Sequence, residues 1–158
     1  MPAVSQDQFA NLAYITVTES AANTLTFKKL ETGISIFEKV AWVVHRLEYY
    51  CDNIAATIFN TTGDYLQLAL CSTDQMTSID LSNAAVIDMC RITRIDLGTA
   101  ASGFYREDPL IRSFADMPGG GLIVPATRLY LGAVGTGLGG ATTNKLRMFY
   151  TTKTLKPE

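Results

Sequence analysis

The sequence predicts an all-β domain in which two antiparallel sheets form a sandwich. Most of the 158 residues alternate between apolar and polar side chains or run in short β-branched and aromatic stretches. Clusters of Gly, Pro, Asn and Asp separate these stretches, which is the pattern of strands joined by turns. About eight strands are expected, a number typical of a β-sandwich. No linker, internal repeat or heptad divides the chain, so we expect one domain over 1–158.

The first half of the chain contains most of the strand candidates, at 13–20, 24–30, 40–50, 56–60 and 65–71. A break near Glu38-Lys39 is expected before the long strand at 40–50. Strict alternation divides this strand into two faces. One face carries Ala41, Val43, His45, Leu47 and Tyr49, and the other carries Trp42, Val44, Arg46, Glu48 and Tyr50.

A short helix is expected near 82–91, within the segment LSNAAVIDMCR. Ser82 can cap its N-terminus, and Val86, Met89 and Cys90 fall on one side of a helix. A single helix in an otherwise all-β chain would form a crossover between two strands.

The second half of the chain continues with strand candidates at 91–97, 110–114, 121–134 and 144–155. Pro125 interrupts the third of these. A proline cannot donate a hydrogen bond to a neighbouring strand, so we expect an edge or a bulge at this position.

The composition indicates a protein whose surface is partly covered by a partner. Hydrophobic residues make up 47% of the chain and charged residues 18%, against roughly 25% charged in ordinary soluble domains. The net charge is −2, and the basic residues are scattered, which argues against a nucleic-acid-binding stripe.

No apolar run reaches the roughly 20 residues of a membrane-spanning helix. The start, MPAVSQDQF, lacks the order of a secretion signal, so we expect a soluble protein made inside a cell.

The glycine-rich segment GTGLGG (135–140) matches the dinucleotide-binding pattern GxGxxG and follows a strand. That pattern requires a helix next, whose N-terminus faces the pyrophosphate. Here a strand-like segment follows. The sequence therefore favours a loop between two antiparallel strands.

His45 is the only histidine, so any histidine-dependent catalysis would require it. A single histidine within an apolar strand is usually a hydrogen-bonded residue of a core or an interface.

The three cysteines, 51, 71 and 90, are odd in number and widely spaced, which argues against disulfides and zinc and indicates buried apolar side chains.

The acidic residues form no calcium-binding loop. They occur at loose intervals at Asp74, Asp80, Asp88 and Asp96 and as the pair Glu107-Asp108. Two of them could still meet in space, so an enzyme with paired carboxylates stays an alternative. We predict no catalytic, cofactor-binding or metal-binding residues, no cofactor and no enzyme activity.

The end of the chain, RLYLGAVGTGLGGATTNKLRMFYTTKTL, resembles the last two strands of small single jelly-roll viral capsid proteins. In that family a loop of small residues leads into a final strand of the form x-Arg-Φ-x-Φ, where Φ is apolar or aromatic; Leu146-Arg147-Met148-Phe149-Tyr150 is similar. The long strand VAWVVHRLEYY, which ends in an aromatic pair, also resembles the third strand of such shells.

The resemblance implies an eight-stranded antiparallel jelly-roll sandwich with the crossover helix near 82–91. It implies a structural protein that assembles with copies of itself into a closed icosahedral particle, made in the host cytoplasm and found in the virion. One feature departs from the family: residues 1–27 contain no Lys or Arg, so nucleic acid inside the shell would lack the usual basic arm. The loops 72–82, 98–110 and 132–144 are the expected contact regions.

Jelly-roll sandwiches also serve as lectins and other binding proteins. The alternative function is therefore a carbohydrate-binding module, in which an exposed Trp42 or tyrosine side chains would line a groove.

Overall fold

The computed structural model of the chain describes residues 11–35, 37–52, 58–59, 61–96, 102–103 and 109–155. Within these ranges the chain forms eleven strands and no helix. The strands are β1 (Asn11–Thr18), β2 (Thr26–Glu31), β3 (Val40–Cys51), β4 (Tyr65–Cys71), β5 (Val86–Thr93), β6 (Ile95–Asp96), β7 (Ser102–Gly103), β8 (Leu110–Ser113), β9 (Leu122–Val124), β10 (Arg128–Thr136) and β11 (Thr143–Thr154).

Nine of these strands form two antiparallel sheets, which confirms the all-β prediction. The first sheet has the order β1-β11-β3, and β8 and β9 both pair with the far edge of β3. The second sheet has the order β2-β10-β4-β5, while β6 and β7 form a separate pair. The count exceeds the expected eight because two consecutive turns, closed by Met117 N–H to Phe114 C=O and Gly120 N–H to Met117 C=O, separate β8 from β9.

The core lies between the two sheets. Leu66, Leu68 and Leu70 of β4 are buried on the face toward the first sheet. Leu47 and Met148 of the first sheet belong to the same buried cluster. Each fully buried leucine contributes about 1.5–3 kcal/mol relative to an exposed one, so this layer is the main stabilising feature of the sandwich.

A second, smaller apolar cluster lies on the outer face of the second sheet. Ala69 of β4 and Phe27 of β2 pack there with Ile79, which comes from the segment that connects β4 to β5. A Cβ added to Gly132 would lie 2.8 Å from the Phe27 ring and 3.5 Å from Ile79, so the ring and the segment lie directly over this face. One outer face of the sandwich is thus covered by the chain itself.

A β-bulge in β3 changes the faces that strict alternation predicts. The pairing with β11 passes from Phe149 opposite Arg46 to Tyr150 opposite Val44, which leaves His45 without a residue directly across. An extra residue reverses the alternation from that point. Trp42 and Val44 therefore share the core face with Leu47, Tyr49 and Cys51, and the predicted assignment of residues 41–44 is wrong.

The helix predicted near 82–91 is also wrong: residues 81–85 form turns, and β5 begins at Val86. The side chain of Asp80 accepts a hydrogen bond from Ser82 N–H at 2.8 Å, and that of Asn83 accepts one from Ala85 N–H at 2.9 Å. Such local side-chain bonds compete with helical hydrogen bonds. Pairing with β4 then supplies backbone partners along β5, with one irregularity at Leu70/Cys71.

The other strand predictions are largely confirmed. The break near Glu38-Lys39 is a turn, in which Lys39 has a φ of 50°. Pro125 separates β9 from β10, which lie in different sheets. The candidate at 91–97 is divided between β5 and β6. Of the candidate at 56–60, Phe59 forms an isolated bridge with Leu138, and residues 56, 57 and 60 lie outside the described part of the chain.

Candidate functional site

Three neighbouring strands of the first sheet place a charged cluster on its outer face. In the register of β1, β11 and β3, Tyr14 lies beside Arg147, and Arg147 lies beside Glu48. The adjacent row consists of Thr16, Lys145 and Tyr50. Side chains on one face recur at every second residue, so the two rows form one surface. This surface combines aromatic rings with basic groups.

A groove of about 480 Å³ runs over this surface. Tyr14 on β1 is 62% exposed and Tyr50 on β3 is 39% exposed, and β11 lies between them. The groove is lined by Tyr14, Ile15, Thr16, Glu48, Tyr50, Pro109, Lys145, Leu146 and Arg147. A concave site with a few convergent polar groups is the usual form of a ligand site, so this groove is the candidate binding site.

Glu48 is the buried charge of the groove. Its carboxylate is 3% exposed, although it lies on the outer face, because two arginine side chains cover it. Arg147 Nε donates to Oε2 at 2.6 Å, and Arg46 donates to Oε1. Both guanidinium groups lie over the ring of Phe149, at 4.7 Å for Arg46 and 5.3 Å for Arg147. The cluster is therefore a compact network in which two cations share one anion.

The stability of the fold is expected to depend on the protonation of Glu48. Burial raises the pKa of this carboxyl, but the hydrogen bonds and charges of Arg46 and Arg147 lower it by more, so the pKa lies below the ordinary 4.5. The stabilisation is thus complete above about pH 4.5 and is lost as the pH falls through the lower folded value. Chemical denaturation at several pH values measures this loss.

The matched variant for this experiment is Glu48→Gln, which keeps the shape and cannot titrate. Its unfolding free energy should be lower than that of the natural chain at pH 7, and the difference should shrink as the pH falls below 4.5. A constant difference between the two proteins from pH 7 to pH 3 would contradict the prediction.

The groove has a small excess of positive charge. Lys145 Nζ lies 2.7 Å from Asp52 Oδ2, so this lysine is also paired. Among the described side chains, three cations (Arg46, Lys145, Arg147) and two anions (Glu48, Asp52) leave a net charge of +1 on this surface. Each guanidinium has five N–H donors, and Glu48 occupies only some of them. The arrangement can therefore bind a polar or anionic ligand beside aromatic rings.

His45 serves the β-bulge. Its Nδ1 lies 2.7 Å from the carbonyl oxygen of Gly120, and its Nε2 lies 2.9 Å from the hydroxyl of Thr151. A carbonyl can only accept, so Nδ1 donates to Gly120, and in the neutral ring Nε2 accepts from Thr151. The ring joins β3, β11 and the turn before β9, which confirms the prediction of a hydrogen-bonded strand histidine.

Replacing His45 by alanine should lower the unfolding free energy by about 1–2 kcal/mol, because two side-chain hydrogen bonds of about 1 kcal/mol each are lost. Denaturant titration followed by circular dichroism measures this value. The control replaces the exposed Thr152, which lies on β11 where it pairs with β3. This replacement should change the unfolding free energy by less than about 0.5 kcal/mol. An equal effect of the two variants would count against a role for the His45 hydrogen bonds.

The GTGLGG loop connects β10 of the second sheet to β11 of the first, so its two strands lie in different sheets. Several of its backbone N–H groups already donate to acceptors inside the protein. Gly135 N–H donates to Glu19 Oε1 at 2.8 Å, Leu138 N–H to Asn23 Oδ1 at 2.8 Å, and Gly139 N–H to the Ile58 carbonyl at 2.7 Å. A bound pyrophosphate would need these backbone N–H groups as donors to its own oxygens. The dinucleotide interpretation therefore fails, as the sequence indicated.

The aromatic residues divide between the core and the groove. Trp42 is 3% exposed and stacks on Tyr150, with ring centroids 3.6 Å apart. It cannot line a binding groove, so that part of the carbohydrate prediction is wrong. Tyr14 and Tyr50 do line one. Phe104 and Tyr105 lie outside the described residues.

The acidic residues named by the sequence take part in separate contacts. Asp88 accepts from the Tyr49 hydroxyl at 3.1 Å and from Arg112 at 3.1 Å, so it links the two sheets. Asp80 caps a turn, and Asp74 accepts from Gln75 Nε2 at 2.8 Å. The side chain of Asp96 and residues 107–108 lie outside the described part. Among the described residues, Glu48 is the one carboxylate that lines the groove.

The cysteines are not joined by disulfides, and all three lie within described strands. Cys51 and Cys71 are buried, as predicted, whereas Cys90 is half-buried. Burial raises the pKa of Cys71 and of Cys90 to about 12, so both thiols stay protonated near neutral pH. Among the described residues, no group of three or more His, Cys, Asp or Glu side chains could hold a metal ion.

The sequence did not identify the groove. Tyr14, Glu48 and Lys145 are far apart along the chain, and their proximity depends on the pairing of β1, β11 and β3. The only available signal was the alternation that places Arg147 and Phe149 on one face of the last strand. Alternation identifies a face, but it does not identify the strands beside it.

The chain matches no known family model and no curated protein, so the fold and the groove are the basis for any functional proposal. In the part of the chain that the structure describes, there is no helix that could cross a membrane.

Proposed function

We propose that this chain is a jelly-roll shell protein that assembles with copies of itself into a closed icosahedral, virus-like particle. Such a protein would be made in the cytoplasm of a host cell and would reside in the virion. It needs no active site and no cofactor. The strand order of the two sheets is the observation that carries the proposal.

The strand order is the one produced by rolling up a single long hairpin. When β8 and β9 are counted as one interrupted strand and the pair β6-β7 is set aside, the chain has eight strands. Numbered 1 to 8 along the chain, these strands have the orders 1-8-3-6 and 2-7-4-5. Strands 1 and 8, 2 and 7, 3 and 6, and 4 and 5 pair along the length of the hairpin. Strands 8 and 3, and strands 7 and 4, become neighbours when the hairpin is rolled up. This arrangement supports a jelly roll, the fold of many capsid subunits.

The distribution of exposed apolar side chains also supports the proposal. They occur on β1, on β3, on β6, on β8 and β9, and in three connecting segments: Leu12, Tyr14, Phe37, Tyr50, Leu81, Ile95, Ile111, Met117 and Ile123. A further apolar cleft of about 370 Å³ lies beside Ile87, Leu122 and Pro125. A subunit of a closed shell needs several separate contact surfaces, whereas a simple binding module needs one.

The groove would be the basic surface of such a shell. Outside the groove cluster, the described residues include eight Lys or Arg and nine Asp or Glu, so this remainder is slightly acidic. Nucleic acid inside the particle would meet least repulsion at this face. Purified particles treated with nuclease and then examined for ultraviolet absorbance at 260 nm would reveal packaged nucleic acid.

Size-exclusion chromatography and negative-stain electron microscopy of the purified protein test the proposal. Closed particles of uniform diameter are the expected result. A monomer at every salt concentration and protein concentration would overturn it.

The second candidate is a carbohydrate-binding module, which the two tyrosines of the groove favour. Tyrosine rings can stack on sugar faces while Lys145, Arg147 and Glu48 offer hydrogen bonds. Glycan binding that is lost in both Tyr14→Ala and Tyr50→Ala, and kept in Tyr65→Ala, would support this function, because Tyr65 lies on the second sheet beside Arg91. Absence of binding to all glycans would exclude it.

A further inference from the structure

We propose that the outer edge of β1 pairs with β1 of a second copy of this chain, in an antiparallel arrangement about a two-fold axis. The first sheet would then continue from one subunit into the next. The inference rests on the self-association in the proposed function and specifies one of its contact surfaces.

The four outer edges of the two sheets differ in their protection against pairing. β8 and β9 are four and three residues long, and Pro125 follows β9. The edge strand β2 carries Lys28, Lys29 and Glu31, and β5 carries the inward-pointing Asp88. Short strands, prolines and charges are the devices that prevent edge-to-edge association.

The edge strand β1 has none of these devices. Its eight residues, NLAYITVT, include no charge, proline or glycine, and its register with β11 is continuous. Within the described residues, no strand pairs with its outer edge. Like charges directly opposite one another destabilise a strand pair, and two copies of this strand bring no charge together.

The backbone hydrogen bonds at the end of β1 show which residues face the outer edge. Glu19 N–H donates to the Thr142 carbonyl at 3.0 Å, so Glu19 faces β11. Asp52 N–H donates to the Thr143 carbonyl at 2.9 Å, so Thr143 faces β3, and its partner Thr18 faces outward. Hydrogen-bonded and non-hydrogen-bonded pairs alternate in antiparallel sheets. The backbone groups at positions 12, 14, 16 and 18 therefore point to the outer edge.

Of the registers that place outward-facing residues opposite one another, the one with its two-fold axis at Ile15 forms the most hydrogen-bonded pairs. A two-fold axis at Ile15 places Tyr14 opposite Thr16 of the second copy and Leu12 opposite Thr18. Four hydrogen-bonded residue pairs form in this register, with eight backbone hydrogen bonds. On the outer face, the aromatic Tyr14 meets a β-branched residue, which is a favourable cross-strand pair. On the core face, Ala13 and Val17 lie opposite each other.

The size of this contact fits one interface among several. Seven residue pairs bury less surface than the roughly 1,200–2,000 Å² of a stable protein complex. The pairing alone would therefore be weak and reversible, and further contacts would hold a closed particle together. Weak individual contacts suit an assembly in which each subunit makes several.

Paired cysteine substitutions test the register. In the double variant Tyr14→Cys/Thr16→Cys, each new thiol faces its counterpart across the axis, at a Cα separation of about 5.5 Å that a disulfide can span. Mild oxidation should give a covalent dimer on a non-reducing gel. Each single variant should remain monomeric on the gel, because Tyr14 and Thr16 do not face themselves. A monomer from the double variant, or equal dimer from a single variant, would overturn the proposed register.

A proline substitution at the outer edge tests the contact independently of disulfides. Thr16→Pro removes an N–H that faces outward, so the bonds of β1 to β11 are kept. The self-association constant of this variant, measured by analytical ultracentrifugation, should be at least tenfold lower than that of the natural chain. The control is Lys29→Pro on the edge strand β2. Thr32 N–H donates to the Thr127 carbonyl, so residue 32 faces β10. By alternation the N–H of residue 29 points outward, as that of Thr16 does in β1. The control should associate as the natural chain does.

The two proposals fail in different ways. Particles that form equally well from the natural chain and from Thr16→Pro, with no cross-linked dimer, would overturn the β1 pairing and leave the shell function standing. Cross-linked dimers without particles would support the pairing and count against the shell. A monomer in both experiments would overturn both.

Discussion

Replacing Trp42 by alanine is expected to lower the unfolding free energy by about 3–5 kcal/mol, which is the range for large aromatic residues removed from a core. Trp42 is 3% exposed, stacks on Tyr150 and belongs to the apolar cluster between the sheets. Its removal leaves a cavity that the two paired sheets cannot close without losing hydrogen bonds. Guanidinium denaturation measures the change. Circular dichroism is the signal to follow, because the variant loses the only tryptophan and with it the tryptophan fluorescence.

Two variants control for the Trp42 result. Trp42→Phe keeps a ring against Tyr150 and should lose less than half as much stability. Tyr14→Ala removes an exposed aromatic residue of the same sheet and should change the stability by about 0.5 kcal/mol or less. A change below about 1 kcal/mol for Trp42→Ala would contradict the burial of this side chain and would restore it as a candidate binding residue.

Replacing Glu19 by alanine is the second large effect, with an expected loss of about 3–5 kcal/mol. The Glu19 carboxylate is 3% exposed and accepts three hydrogen bonds, from Gly135 N–H and from the N–H and hydroxyl of Thr142, at 2.7–2.9 Å. Alanine leaves these buried donors without an acceptor, and each costs about 1–3 kcal/mol. Thermal unfolding of the purified variant provides the measurement.

The Glu19 experiment has a graded control. Glu19→Gln keeps the length of the side chain but offers one acceptor oxygen, so its loss should lie between those of the natural chain and Glu19→Ala. Glu38→Ala, at an exposed turn, should have no measurable effect. If Glu19→Gln is as stable as the natural chain, the charge of Glu19 is not needed to hold the loop.

Glu19 matters because it fixes the crossing between the two sheets. The loop 137–142 leads from β10 to β11, and Glu19 binds Gly135 near the end of β10 and Thr142 at the end of the loop. Gly137 within the loop has a φ of 75°, and a Cβ there would lie 2.1 Å from Asp64 Oδ1. A glycine is required at this point for space and for backbone conformation. The small residues that resemble a nucleotide fingerprint thus serve close packing.

The proposed shell function rests on the resemblance of the sequence to capsid proteins and on the strand order of the two sheets. The first depends on the residues of β3, β10 and β11, and the second on the pairing of all nine strands of the sandwich. Neither depends on the groove, which could bind a ligand in a shell subunit as well as in a binding module. The particle assay and the glycan assay therefore answer separate questions.

The sequence by itself determined most of the strands of the two sheets and the positions of several breaks. Alternation in β1 and β11 reflects a physical requirement of a sheet with one buried face, and it can be read without knowledge of the partners. The turn at Glu38-Lys39 and the interruption at Pro125 follow from local backbone chemistry. The failure of the glycine motif was also visible, because the residues after it form a strand.

The tertiary structure alone decided the remaining features, because each depends on residues that are distant in the chain. Residues 86–93 are a strand because β4 lies beside them and pairs with them along their length. Trp42 faces the core because a bulge at His45 reverses the alternation, and that bulge is stabilised by Gly120 and Thr151. The groove and the outer edge of β1 exist because β11 lies between β1 and β3. Pairing of this kind is a property of the whole chain, and local patterns do not encode it.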